Sequence, residues 1–187
     1  RYPPIAANSP MTMLPEQAAN WAYPQPDMDD EEIVFTVTTS LAGTFYLSGH
    51  VDRMNAHQMA LVQSGVEVKA LRSDLTSHIP WWPKGLASWD DEWIVTGRRK
   101  KSSRDGVIIV WHRPSTESTV LDLPDLAGTH LEPLYPPACL VPDPGIHIAD
   151  SSSSPRLNCP SPKPTGRVFR VRDLHDCVTD VAEMEKK

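Results

Sequence analysis

Residues 29–43, "DDEEIVFTVTTSLAG", admit two readings that lead to different folds. Ile33, Val34, Thr36, Val37, Thr38 and Thr39 carry β-branched side chains that suit a pleated strand. The ends argue the other way. Asp29 followed three residues later by Glu32 is the pattern of a capping box, Asp30 and Glu31 suit the positive end of a helix, and Gly43 suits its stop. These signals bracket about four turns, so the stretch is predicted to be a buried helix.

Working outward, "TFYLSG" (44–49) reads as a short strand, apolar on both faces as in a sheet covered on both sides. Asn55 with Gln58 three residues on opens a second helix over 55–75. Its buried stripe is expected from Met59, Val62 and Val66, broadened by Leu61, Val68, Leu71 and Leu75. Helix, short apolar strand, helix is the rhythm of an α/β protein with parallel strands. Upstream, residues 1–28 hold six prolines and little periodicity, which predicts loop with one short buried segment at Met11–Leu14.

Downstream the rhythm changes. "EWIVTGR" (92–98), "GVIIVWHR" (106–113), "STVLDLP" (118–124), "HLEPLYP" (130–136) and "RVFRVR" (167–172) read as strands of an antiparallel unit. A charged loop closing on Asp105-Gly106 gives a hairpin signal between the first two. Residues 137–165 are mostly proline, serine and aspartate and are expected to form a disordered insertion, with Gly145–Ala149 able to add a strand. The organisation read from the chain is an α/β unit over 1–78, a Trp/Pro-rich connector over 79–90, a β unit over 91–172 and a polar tail over 173–187. "HIPWWPKGLASWDDEWIV" (78–95) carries four of the six tryptophans. They suit either a platform that stacks on sugar rings or a buried seam between the two units, and packing among prolines at a junction favours the seam.

Bulk properties narrow the function classes. A net charge of −6 and a pI near 5.6 speak against nucleic acid as partner, because such a binder needs a concentrated basic face. The run Arg98, Arg99, Lys100, Lys101 with Arg104 sits at a hairpin tip, where charge usually serves solubility. No apolar run approaches the ~20 residues of a membrane span. Three cysteines give no disulfide framework, the seven histidines show no metal spacing, and no cofactor motif is found. The first residue is Arg1, and the simplest expectation is a chain that begins inside a longer protein.

"SPMTMLPEQAANWAYPQP", "DEEIVFTVTTSLAGTFYLSGHVDRM", the helix after it and "PWWPKGLASWDDEWIVTGRR" occur in an order that resembles the C-terminal end of family 36-type glycoside hydrolases, the melibiase or α-galactosidase-like enzymes. The resemblance covers about residues 1–136, returns at "TGRVFRVR" and departs over 137–165. It implies the last helices and strand of a (β/α)8 barrel followed by an antiparallel β-sandwich, with 29–43 similar to the seventh barrel helix, 44–49 to the eighth strand and 55–75 to the eighth helix. Such enzymes retain configuration with an aspartate pair about 5 Å apart. In the family both aspartates lie on earlier barrel strands, so no residue here is assigned a catalytic role.

On the same resemblance Glu16 and Trp21 follow the seventh strand and His50 the eighth, on the face where barrels build active sites. A glutamate and a histidine can hydrogen-bond sugar hydroxyls and an indole can stack on a sugar ring. These three are the candidate substrate-binding residues, each with a plain structural rival: a solvated loop charge, a plug on the barrel and a helix cap. The implied partners are a carbohydrate substrate and the N-terminal barrel region absent from this sequence, with neither nucleic acid nor membrane. Two functions remain open: the C-terminal portion of an α-galactosidase-like hydrolase, inactive by itself, or a non-catalytic carbohydrate-binding or scaffold β module.

Overall fold

The computed structural model describes residues 2–14, 17–68, 77–114, 119–141, 145–150 and 153–174. Within them lie three helices and ten strands: α1 (Pro3–Asn8), β1 (Ala19–Ala22), α2 (Asp30–Ser40), β2 (Thr44–Leu47), α3 (Ala56–Glu67), β3 (Ile79–Trp81), β4 (Trp93–Arg99), β5 (Gly106–His112), β6 (Val120–Asp122), β7 (Thr129–Tyr135), β8 (His147–Asp150), β9 (Arg156–Asn158) and β10 (Thr165–Asp173). The protein is mostly β-sheet with few helices. The strands form a parallel pair β1–β2, a five-stranded antiparallel sheet ordered β3–β4–β5–β10–β7, and a three-stranded sheet ordered β6–β9–β8.

The helix reading of 29–43 holds, and for the reason its ends suggested. Asp29 accepts from the backbone N–H of Glu32 at 3.0 Å, and Glu32 accepts from that of Asp29 at 2.9 Å. Two of the donors a helix start leaves unsatisfied are thereby paired. α3 opens with the same device, Asn55 and Gln58 exchanging bonds of 2.9 and 3.1 Å. Its buried face differs from the expected stripe. Gln58, Leu61, Val62 and Gly65 point inward, whereas Met59 is exposed. The face is set by what it meets: a Cβ at Gly65 would lie 2.3 Å from Val37 Cγ1 and 3.2 Å from Tyr135 Cε2, so only glycine permits the approach of α3 to α2 and β7. The expected extension over Leu71 and Leu75 lies outside the described residues.

The five-stranded sheet has a core on each side, and its alternation is readable along the strands. Ile94, Val107, Ile109, Trp111 and Val168 face the helices, joining Ile33, Val34, Val37, Leu61 and Val62 in one cluster. Trp93, Val95, Ile108, Val110, Phe169 and Val171 face the small sheet, meeting Leu121, Leu123, Leu126 and Leu157. β7 carries an irregularity that strict alternation would miss. Val168 pairs with Tyr135 but Phe169 with Pro133, so Leu134 is an extra residue in the ladder. The bulge turns Tyr135 to the helical side, where its hydroxyl donates to Leu61 O at 3.2 Å. Burial pushes this phenol far above its usual range, with Arg167 nearby opposing the shift and Glu31 adding to it.

A buried ion pair ties the layers. Arg167 of β10 donates from Nη1 to Glu31 Oε2 at 2.9 Å and from Nη2 to Glu31 Oε1 at 2.5 Å, and the Thr165 hydroxyl donates to the same carboxylate. Trp111 Nε1 donates to Thr39 Oγ1 at 3.1 Å across the same junction.

Several expectations are corrected. Residues 1–28 are not simply loop: Pro3–Asn8 is helical with Ala6 and Ala7 buried, Ala19–Ala22 is a strand, and Met11, Met13 and Leu14 are exposed. The 137–165 stretch, expected to be disordered, supplies β8, β9 and the buried Val141, Ile146, Leu157 and Cys159 in its described part. Strand pairing satisfies a polar segment that its composition alone would leave in solvent. The expected hairpin is present: β4 and β5 pair antiparallel, and the charged loop 100–105 closes at Asp105-Gly106, where Gly106 pairs with Arg99. Residues 175–187 of the polar tail lie outside the described residues.

The tryptophan-rich connector divides its residues among three roles. Trp93, 4% exposed, sits in the core between the sheets with its ring 4.4 Å from that of His112. Trp82 docks on the first helix, Nε1 donating to Ala7 O at 2.8 Å, and Asn8 clamps the connector by exchanging bonds with the backbone of Ala87. Trp89 is 53% exposed. Among the described residues, Trp82 and Ala87 of the connector thus hydrogen-bond to α1.

Candidate functional site

β1 and β2 run parallel with Trp21 opposite Tyr46, joined through α2. One face of the pair packs inward: Asn20 and Ala22 are buried, and Ser40 at the end of α2 donates to Asn20 O at 2.7 Å. Side chains alternate along a strand, so Trp21 and Tyr23 emerge on the other face. There the rings of Trp21 and Tyr23 stack at 5.8 Å with 16° between planes, and Trp21 meets Tyr46 at 5.1 Å. Trp21 is 43% exposed, and Tyr23 and Tyr46 are exposed beside it. At the edge of β1 this surface sinks into a cavity of about 350 Å³ lined by Tyr2, Trp21, Tyr23, Phe35, Thr36 and Thr39. Tyr2 is held there by a 3.4 Å bond to Asn20 Oδ1, and the loop by Tyr23 N–H donating to Thr36 Oγ1 at 3.0 Å.

The covering expected on both sides of the 44–49 strand is thus present on one side only. An aromatic surface of this kind offers flat apolar faces bordered by phenolic and threonine hydroxyls. It can stack on the apolar side of a pyranose ring while its rim bonds the ring's hydroxyls. Large exposed aromatic patches on a folded surface mark ligand or partner sites.

The three candidate residues are placed differently. Trp21 lies within β1, not in a loop after a strand, and is the centre of the aromatic group. His50 is exposed, at the residue before the 3-10 turn Val51–Arg53, and makes no capping hydrogen bond from its side chain. The loop that carries it is drawn to the loop after β1: Gly49, at φ 108°, would place a Cβ 2.2 Å from Pro24 O. Glu16 lies outside the described residues. The sequence reading missed Tyr2, Tyr23 and Tyr46. The alternation Trp21, Tyr23 was a usable strand signal, but the register that sets Tyr46 against Trp21 was not written locally.

The carboxylates of α2 and of the turn after β2 each lie beside a partner. Asp29 caps α2 and pairs with Lys163, and Glu31 pairs with Arg167. Asp30 lies 3.0 Å from His57 Nε2, and Asp52 lies 3.7 Å from Arg53 Nε. The Lys163 ammonium and then the Glu32 backbone N–H hold the Asp29 carboxyl below the usual carboxylate range. Among the described residues no group of three His, Cys, Asp or Glu could hold a metal ion, and no helix is long and apolar enough to cross a membrane. No family model matches the chain, and neither a curated protein nor a solved structure matches it.

Proposed function

We propose that this chain is the C-terminal portion of an α-galactosidase-like glycoside hydrolase, carrying part of the carbohydrate-binding surface and lacking the catalytic aspartate pair. The observation that supports the reading most directly is the parallel β1–α2–β2 unit with its stacked aromatic group on the face opposite the buried Asn20 and Ala22. Parallel strands are normally buried in larger sheets; here, among the described residues, each of β1 and β2 pairs only with the other. A (β/α)8 barrel continued by earlier strands would place this face toward its interior, with α2 and α3 outside and the antiparallel sheets following as a β-sandwich. Trp21 then serves as a sugar-stacking residue, His50 as a hydrogen-bonding residue at the mouth, and Glu16 as a candidate on the adjoining loop.

One observation favours the second reading, a self-contained carbohydrate-binding module. The apolar faces of α2 and α3 are covered within the chain, sharing their core with the five-stranded sheet. Both readings place sugar on Trp21, and they part on catalysis in the longer protein.

Calorimetric titration with melibiose and raffinose tests the binding. The expected result is a millimolar-range interaction weakened at least tenfold by Trp21→Ala. No binding, or binding indifferent to Trp21→Ala, refutes the assignment. So does release of phenol from an aryl α-galactoside by the chain alone, if substitution of one of its carboxylates abolishes it.

A further inference from the structure

Two features of the sequence are not used by the aromatic face: the tryptophan-rich connector and the basic run after β4. They meet. Trp81 on β3, Arg99, Lys101 and Arg104 line a groove of about 360 Å³, completed by Ser102, Ser103, Asp125 and Asp173. Trp81 is half-buried against the core between the sheets, and the Arg99 guanidinium lies over its ring, 5.9 Å from the centroid. The loop is held in shape from within. Arg99 Nη1 donates to Lys100 O at 3.1 Å and to Ser103 O at 3.4 Å, Lys100 pairs with Asp105 at 3.0 Å, and Arg104 pairs with Asp173 at 3.3 Å. Asp105 also accepts from Asp173 N–H at 2.7 Å, which pins the loop to the end of β10.

The charges discriminate among ligands. Of the four cations Arg99, Lys100, Lys101 and Arg104, two are already paired with carboxylates, and Asp125 brings a further negative charge to the rim. A polyanion would meet Arg99 and Lys101, the other two cations, with the Asp125 carboxylate opposing them. An indole wall ringed by hydroxyls, an ammonium and a carboxylate instead supplies donors and acceptors in alternation. That is the complement of a neutral sugar, whose hydroxyls both give and accept hydrogen bonds around an apolar ring face.

We propose that this groove is a second carbohydrate-binding site, selective for neutral oligosaccharides, built on the antiparallel part of the fold and independent of Trp21. Lys101 and Asp125 bond sugar hydroxyls from the rim, and Trp81 with the Arg99 guanidinium over its ring forms the wall they face. The proposal does not depend on a catalytic parentage.

Affinity electrophoresis in gels containing galactomannan, xylan or β-glucan tests it, with heparin as the polyanion control. Lys101 and Asp125 are exposed, so Lys101→Ala/Asp125→Ala leaves the core intact. The expected result is retardation by at least one neutral polysaccharide, weakened tenfold or more in that double variant and in Trp81→Ala, and kept in Trp21→Ala. Retardation by none of the three, retardation unchanged in the double variant, or salt-sensitive retardation by heparin alone overturns the proposal. Loss through Trp21→Ala with the double variant unaffected also overturns it, while leaving the aromatic face of β1–β2 as a sugar site.

Discussion

Glu31→Ala should cost more than removing a carboxylate from the exposed ion pairs described here, such as Asp122 with Arg156. The carboxylate is 16% exposed and the guanidinium of Arg167 6%, and they meet through two hydrogen bonds. Removing one partner of such a pair strands a buried charge, at ~3–5 kcal/mol. The structure places the cost toward the lower end, because Arg167 Nη1 keeps Thr165 Oγ1 at 3.0 Å and Gly166 O at 2.8 Å. A loss of ~3 kcal/mol with a urea slope of ~2 kcal/mol/M lowers the midpoint by ~1.5 M. Urea unfolding followed by tryptophan fluorescence reads this directly. The double variant Glu31→Leu/Arg167→Met should recover most of the loss, since a well-packed apolar pair often matches a buried ion pair. A single-variant loss under ~1 kcal/mol, the scale of an exposed pair, would refute the reasoning. So would a double variant no more stable than Glu31→Ala, because the cost would then not come from an uncompensated charge.

The tryptophans should separate in thermal and urea melts. Trp93→Ala is expected to lose ~3–5 kcal/mol, the usual penalty for truncating a buried aromatic, whereas Trp89→Ala should stay within ~0.5 kcal/mol; equal effects would contradict the burial of one and exposure of the other. Asp29 adds a pH dependence. Its folded pKa lies below its unfolded value, so its contribution is present above the unfolded pKa of about 4 and is lost as pH falls through the lower folded value. Asp29→Asn or Lys163→Ala should flatten stability against pH below about 4, and an unaltered acid limb in both would exclude the contact as its source.

What was legible in the sequence is what is decided within a few residues. Both capping boxes close over three positions, Asp29 with Glu32 and Asn55 with Gln58, so the starts of α2 and α3 are written in the chain itself. The strand readings of β4 and β5 were equally local, because their β-branched and aromatic runs suit a pleated strand wherever it lies. The segments misread depend on distant partners. Ala19–Ala22 has weak strand propensity and is a strand because β2 supplies its ladder. The proline- and serine-rich 137–165 stretch is ordered in part because β6 pairs with β9 and the core between the two sheets accepts Leu157.

The candidate site divides along the same line. Trp21 was named through the family resemblance, but Tyr46 joined it only through the parallel register, and Tyr2 through its hydrogen bond to Asn20. Glu31 read as a helix-dipole charge and is also half of an ion pair with a residue 136 positions away. Four similar tryptophans became a core residue, a half-buried groove wall, a helix contact and an exposed ring. Local sequence sets φ, ψ and side-chain period, whereas burial and pairing belong to the surfaces that the folded chain brings together, and those contacts have no signature at short separation.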